Sequence, residues 1–273
     1  ARDSPLADQG QWRPSYQVAT ASQRTDEWKV AAGRPVLRAR QTTSKGRRWV
    51  FDARLDKAFS LGETDHLLTY GTTLKHEKIT GSRSGTGTCV NIGGTCRGIG
   101  QDSARDGQAL VSDFPDPTVN TYSLFVQDAI RWHNWTFLPG ARYDYTRMEP
   151  RFTERFLRGL EATGTAPTSQ DDSARNWHRV SPKFGVTYAF DDHYTAYGQY
   201  AEGFRTPTAK AMYGRFQNLD QGYRVEGNPN LEPEKGKSFD TGLRGDFDAG
   251  HLDVAVFYNK YRDFIDEDAV QSR

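Results

Sequence analysis

Long apolar runs are what this sequence most lacks. No stretch of about 18 apolar residues occurs, the length a membrane-spanning helix needs, and mean hydropathy is −0.79 with 26% of residues charged. A helical membrane protein is excluded. A surplus of one charge is also lacking, since 36 Lys and Arg stand against 35 Asp and Glu, intermixed along the chain. Nucleic-acid binding, which draws on a basic surplus, gets no support. Cysteine is scarce: Cys89 and Cys96 are the only two, and neither Cys-x-x-Cys nor a nearby His offers a zinc site. Gly-x-Ser-x-Gly, His-Glu-x-x-His and a phosphate-cradling Gly-Lys-Thr are absent as well. No catalytic constellation is legible, and the expectation is a protein that is not an enzyme.

What is present is aromatic. Thirteen Tyr, fifteen Phe and six Trp against two Met favour pleated strands over helices. Alternation with period two runs through the chain, and helical period never dominates. Phe184, Val186, Tyr188 and Phe190 share one face of a segment whose other face carries Lys183, Gly185, Thr187 and Ala189. The same split sets Trp49, Phe51, Ala53, Leu55 and Phe59 against Asp52, Arg54 and Asp56, and Phe239, Leu243 and Phe247 against Asp240, Arg244 and Asp246. A wall with lipid on one side and water on the other has this pattern, and its mean hydropathy is negative.

Connections alternate in length. Gly62–Asp65, Trp132–Asn134, Asp191–His193 and Asp248–Gly250 read as tight turns, while 81–118, 149–177 and 207–231 read as long polar loops. Nine strands are predicted, near 15–30, 47–60, 66–80, 119–132, 134–148, 178–191, 193–206, 233–248 and 251–265. The fold expected is all-β, with residues 1–273 forming part of an antiparallel transmembrane β-barrel. Nine is odd, bacterial barrels are even-stranded, and the chain opens loop-like at Ala1-Arg2-Asp3-Ser4-Pro5. Strands before and after this stretch are therefore expected. Cys89 and Cys96 bracket a Gly-rich loop that either closes a small disulfide ring in an oxidising compartment or carries free thiols.

Phe204-Arg205-Thr206-Pro207, followed beyond residues 208–227 by Asn228-Pro229-Asn230-Leu231, resembles the paired signatures of TonB-dependent haem and haemoglobin receptors. Ser181-Pro182-Lys183-Phe184-Gly185 and Pro139-Gly140-Ala141-Arg142-Tyr143-Asp144 are similar to TonB-dependent receptors of every ligand class. The resemblance covers most of residues 47–268 and departs from the usual form at Thr206, where Ala is common. It implies a bacterial outer-membrane receptor, part of a barrel of about 22 strands, whose plug domain lies outside this stretch. It further implies haem as the transported ligand, a haem-carrier protein and the TonB complex as partners, and outer-membrane lipid around the wall.

In such receptors the loop between the two motifs supplies an axial iron ligand, commonly His. Here residues 208–227 contain no His, which leaves Tyr223 and Tyr213 as candidate ligands, because a phenolate prefers ferric iron. Arg215 and Arg224 are candidate partners for haem propionates. His66, His133, His193 and His251 fall beside short turns, and His76 and His178 toward the long loops, as ordinary interfacial or lumen residues. A ferric siderophore or other metal chelate is the alternative ligand; a passive pore, an adhesin barrel and a soluble β-sandwich are the alternatives of other classes.

Overall fold

The computed structural model describes residues 4–31, 34–89, 111–162, 173–218 and 223–266, with side chains described for all of these except 27–40, 85–89, 161–162, 216–218 and 223–224. Its elements are β1 (Gln9–Ala31), β2 (Arg34–Leu61), β3 (Thr64–Cys89), β4 (Asp116–Trp132), β5 (Trp135–Arg151), α1 (Glu154–Ala162), β6 (Arg175–Ala189), β7 (Tyr194–Arg205), α2 (Ala209–Tyr213), β8 (Arg215–Asn218), β9 (Tyr223–Glu226), β10 (Glu234–Phe247) and β11 (Gly250–Arg262). Nine strands form one antiparallel meander in the order β1-β2-β3-β4-β5-β6-β7-β10-β11, and β8 pairs with β9 as a separate hairpin. Nearly every strand thus hydrogen-bonds its sequence neighbour, as a wall built by up-and-down winding requires.

Register makes the two faces explicit. Tyr16 lies opposite Trp49, Tyr122 opposite Tyr145, Leu124 opposite Tyr143, and Phe239 opposite both Tyr200 and Tyr258. These rows are exposed: Leu124 is 61%, Val180 57% and Phe184 46% accessible. Among the described residues no second sheet covers them, so the sandwich alternative fails. The opposite face carries a polar ladder. Arg13 meets Asp52 at 3.5 Å, Thr73 donates to Asp52 at 2.9 Å, Arg48 pairs with Glu77 at 2.7 Å, and Arg142 with Asp144 at 2.8 Å. Ser123 donates to the same Asp144, and Lys183 to Gln127. Gly71 on this face gives Phe125 its place, since a Cβ there would sit 2.8 Å from the ring and 2.0 Å from the carbonyl oxygen of Ala53.

The strands outrun the expectation. Ala31 and residues 34–46 belong to β1 and β2, beyond the predicted strand ends, because a strand rising out of lipid meets water on both faces and loses the apolar half of its alternation. All three expected loops contain structure: β3 runs to Cys89 and β4 begins at Asp116 within 81–118, α1 lies within 149–177, and α2 with the β8–β9 hairpin lies within 207–231. Cys89 ends β3, while the expected Cys89–Cys96 bridge lies outside the described residues.

The opposite rim is made of tight turns. Gly62 takes φ +61° and His133 φ 50°, left-handed values that Gly adopts freely and His tolerates. In the third turn Asp191 Oδ1 accepts the backbone N–H groups of His193 and Tyr194, both at 2.8 Å. Those two bonds, Tyr194's foremost, hold the Asp191 carboxyl below its ordinary 3.8. A depressed carboxylate stabilises the fold above its unfolded pKa and loses that contribution as pH falls through its folded one. Asp191→Ala is therefore expected to lower the melting temperature of the detergent-solubilised protein at about pH 7, with the gap to wild type closing below about pH 4. A gap unchanged at low pH would show that the charge plays no part.

Candidate functional site

The site is assembled at the long-loop rim from segments that cannot stand alone. Residues 111–117 form a strap: Val111 exchanges backbone bonds with Arg83 at 2.7 and 3.0 Å, and Arg83 Nε reaches Asp113 at 2.9 Å. Helix α1 seats Phe156 and Leu160 in buried positions. It comes so close to the strap that a Cβ on Gly159 would lie 2.7 Å from the Ser112 carbonyl oxygen. Arg155 fastens it to Asp116 at 2.9 Å.

The two signature motifs meet beside this strap. Phe204 and Arg205 end β7, Pro207 is buried, and Thr208 caps α2, its hydroxyl accepting from Ala211 N at 3.0 Å. A helix this short is marginal alone, and packing holds it. Ala209, Met212 and Tyr213 bury against Met148 on the inner wall, with Val119, Trp177 and Leu231 around them. The chain then leaves as β8, returns as β9, and is bolted to the helix it left. Gly227 N donates to Gly214 O at 2.7 Å, Asn228 N to Ala211 O at 3.0 Å, and Arg215 Nη1 to Gly227 O at 3.2 Å. Gly227 fits because it has no side chain: a Cβ would stand 2.5 Å from the Met212 carbonyl. Asn228 Oδ1 then accepts from Asn230 N at 3.0 Å, and the turn delivers Leu231 into the Met148 cluster.

Beneath the clamp the inner wall encloses a cavity of about 410 Å³, lined among others by Lys75, Arg142, Asp144, Glu202, Arg205 and Thr206. Its charges are mostly engaged: Arg142 by Asp144, and Lys75 by Glu77 at 3.5 Å. Arg205 is the freest, 67% exposed and only loosely paired with Glu234 at 3.5 Å. The lining is mixed, with the carboxylates of Asp144 and Glu202 beside the cations and Phe204 among them, and Arg205 is the cation an incoming anion would meet.

The expected site residues divide three ways. Phe204, Arg205, Thr206 and Pro207 lead directly into α2, and Asn228 and Leu231 fasten onto that helix across the Pro229–Asn230 turn, as one clamp. Tyr213 is 3% exposed within it, and its hydroxyl finds no hydrogen-bond partner among the described residues. Arg215 turns inward to Gly227 rather than outward. Tyr223 and Arg224 begin β9, their side chains lying outside those described. His76, bonded to Asn120 at 2.7 Å, and His178 lie on the outward rows of Trp49 and Val180, away from the lumen. Thr208, Gly227 and Met148 are supports of the site that no sequence motif singled out, although Thr-x-x-x-x-x-Gly around Ala209–Tyr213 is a readable cap and stop, and Trp177, a strand-end aromatic, packs against this cluster.

The same architecture recurs in known proteins. A model of the TonB dependent receptor-like β-barrel family matches residues 3–273. The chain belongs to that family. Hemoglobin-haptoglobin utilization protein B of Neisseria meningitidis serogroup C is 37% identical over 46% of this chain and 15% of its own length. Probable hemoglobin and hemoglobin-haptoglobin-binding protein 4 of Haemophilus influenzae is 26% identical over 78% of this chain and 26% of its own length. The chain thus spans between 15% and 26% of these two relatives. Among solved structures, the Serratia marcescens hemophore receptor HasR in complex with HasA and heme superposes with TM-score 0.58 at 17% identity, covering 91% of this chain and 40% of HasR. The ferric citrate transporter FecA gives 0.53 at 16% identity, covering 92% and 35%. At these identities the likeness is one of fold.

The clamp makes a direct prediction for this family member. Gly227→Val should separate the hairpin from α2 and raise proteolytic cleavage between residues 205 and 232 several-fold, whereas Thr208→Ala should cost about 1 kcal/mol or less. Protease resistance equal to wild type in Gly227→Val would refute the clamp.

Proposed function

We propose that the intact protein is an outer-membrane receptor that captures haem, free or on a carrier protein, at the long-loop rim and imports it with energy delivered by TonB. The observation that carries this reading is the clamp itself. Asn228 of the second motif is bolted to the helix that follows the first, which fixes the base of the β8–β9 hairpin, while Arg205 and Thr206 of the first motif line the cavity. Two relatives supply the ligand class, one named for hemoglobin-haptoglobin utilization and the other for binding hemoglobin and hemoglobin-haptoglobin. Uphill import fits the setting, because an outer membrane has neither ATP nor a useful potential to drive it.

Within the clamp, Tyr223 and Tyr213 remain the proposed iron ligands. Tyr213 would need α2 to lift away from Met148 before its hydroxyl could reach a ligand, while Tyr223 stands at the open end of the hairpin. Arg205 joins Arg215 and Arg224 as a proposed partner of the propionates. A siderophore or another chelate remains the rival, since FecA shares the wall and a vitamin B12 transporter of Vibrio vulnificus is 28% identical over 42% of this chain.

Titrating the full-length receptor with hemin separates the two readings. A ferric tyrosinate gives charge-transfer absorption that a siderophore site lacks, and Tyr223→Phe is expected to abolish it. Unchanged spectra in both Tyr223→Phe and Tyr213→Phe would defeat the ligand assignment, and absence of hemin binding in the wild type would defeat the haem reading.

A further inference from the structure

The wall contains a seam. β6 stays paired with β5 up to Met148 opposite Arg175, and β7 stays paired with β10 up to Arg205 opposite Glu234, yet the ladder between β6 and β7 ends at Lys183 opposite Ala201. Above that rung, residues 175–182 and 202–205 are strands that do not pair with each other. The rung just below sets Phe184 opposite Tyr200, aromatic side chains of the kind that sit where acyl chains give way to head groups. The seam therefore opens above hydrocarbon, where water can satisfy bare backbone groups.

Side chains show how far the strands have parted. Arg179 lies opposite Asp144 on the inner face, while Glu202, opposite Lys237, belongs by the two-residue period to the outer face with Tyr200. A closed ladder would keep Arg179 and Glu202 on different sides of the sheet. Here Arg179 Nη2 meets Glu202 Oε2 at 2.7 Å, reaching through the seam, and Glu202 also takes Lys237 at 2.8 Å and the Tyr200 hydroxyl. The cavity beneath the clamp runs into the same gap, lined by Ser181 from one side and by Gly203 and Arg205 from the other.

Proline and opposed charge account for the break. Continued at the same register, the ladder would set Pro182 opposite Glu202, Ser181 opposite Gly203 and Arg179 opposite Arg205. Pro182 has no N–H to donate. Arg179 and Arg205 would face each other on the inner row, and like charges directly across a ladder destabilise it. Both keep spare capacity: Arg205 is held loosely by Glu234 at 3.5 Å, and Arg179 Nε is buried with no partner among the described residues. Asp144 beside them is already engaged by Arg142 and Ser123. An anion arriving between the two arginines would turn their repulsion into a bridge.

We propose that Arg179 and Arg205 form a seat for a carboxylate of the incoming ligand, and that filling it zips the upper parts of β6 and β7 together. Arginine suits the role because its planar fork takes a carboxylate through two parallel bonds. The closed form offers the anion both arginines and the open form only one, and this difference in affinity shifts the equilibrium. On closing, Arg179 leaves Glu202, which keeps Lys237 and Tyr200. β7 runs straight into Thr206, Pro207 and α2, so its movement is passed to the helix that holds Tyr213 against Met148. The inference rests on the reading of the ligand as haem, whose propionates supply the carboxylates.

Paired thiols test the closure. In full-length receptor with Cys89 and Cys96 changed to Ser, the substitutions Ser181→Cys and Gly203→Cys place thiols that come within disulfide reach only when the ladder extends. Nothing stands within 4 Å of a Cβ built at Gly203, so the second substitution is accommodated. Under mild oxidation the bridge, read by mass spectrometry, should form about tenfold faster with hemin than without it. Hemin dimethyl ester, which has no free carboxylate, should give no acceleration. Adding Arg179→Gln removes the opposed charge: the bridge should then form fast without ligand, hemin should add nothing, and hemin affinity should fall about fivefold. Hydrogen exchange on receptor without these substitutions is the second measurement, in which hemin should slow the amides of residues 176–181 and the diester should not. Hemin bound with bridge formation and exchange both unchanged would overturn the seam proposal alone, and equal acceleration by the diester would overturn the carboxylate seat. Failure of the wild type to bind hemin would overturn the haem reading, and the seam would then be decided without ligand: a bridging rate in the Arg179→Gln variant equal to that of its parent would overturn it too.

Discussion

A backbone N–H or C=O left bare in hydrocarbon costs several kcal/mol, and no water is there to satisfy it. The other features of the wall follow from this requirement. Each inner strand must have a partner on both sides, and the cheapest way to supply one is to pair every strand with its neighbour in sequence. The meander from β1 to β11 does so, broken only where β8 and β9 step out of the wall to make the mouth. Because pairing sets the pleat, the side chains have two faces to choose from. One must be greasy and the other is free to be charged, so the inner face can carry the ladder from Arg13 and Asp52 to Arg142 and Asp144.

Within that frame, the signature motifs act chiefly as structure. Thr208, Pro207, Gly227, Asn228 and Leu231 all spend their chemistry on holding α2 and the hairpin to the wall: a cap, a buried ring, a missing side chain, a turn and an apolar anchor. Their types are those that the geometry demands and that no ligand would select. A mouth that must project a loop toward a large ligand while resting on a thin wall needs such a bolt. Beyond the bolt, residues 208–227 offer tyrosine and arginine and no histidine.

The wall was legible because lipid imposes a strict period on about ten residues per strand. Phe184, Val186 and Tyr188 announced their face without any help from the rest of the chain. Legibility ended where lipid ends. Above the membrane both faces of β1 and β2 meet water, so Ala31 and residues 34–46 lost the pattern while keeping the ladder. The mouth was harder still. Met148, Val119 and Trp177 reach α2 from three different strands, and such contacts depend on register, which no local pattern encodes. Gly227 reads as one more loop glycine until the Met212 carbonyl is found against it.

The outward cations of β10 and β11 fit the same logic from the other side. A face that must dissolve in hydrocarbon admits charge only where hydrocarbon stops, so the rows of the wall measure depth as well as orientation. Lys237 and Lys260 lie one pleat above Phe239 and Tyr258, and Leu243 and Val254 lie below. Paired strands force this order on neighbouring chains at once, because register lines up equal depths across the sheet. Opposed like charges are the consequence: two strands that each place a cation at the interface must place them opposite one another. The repulsion is offset in part by Glu202 on Lys237 and Asp263 on Lys235.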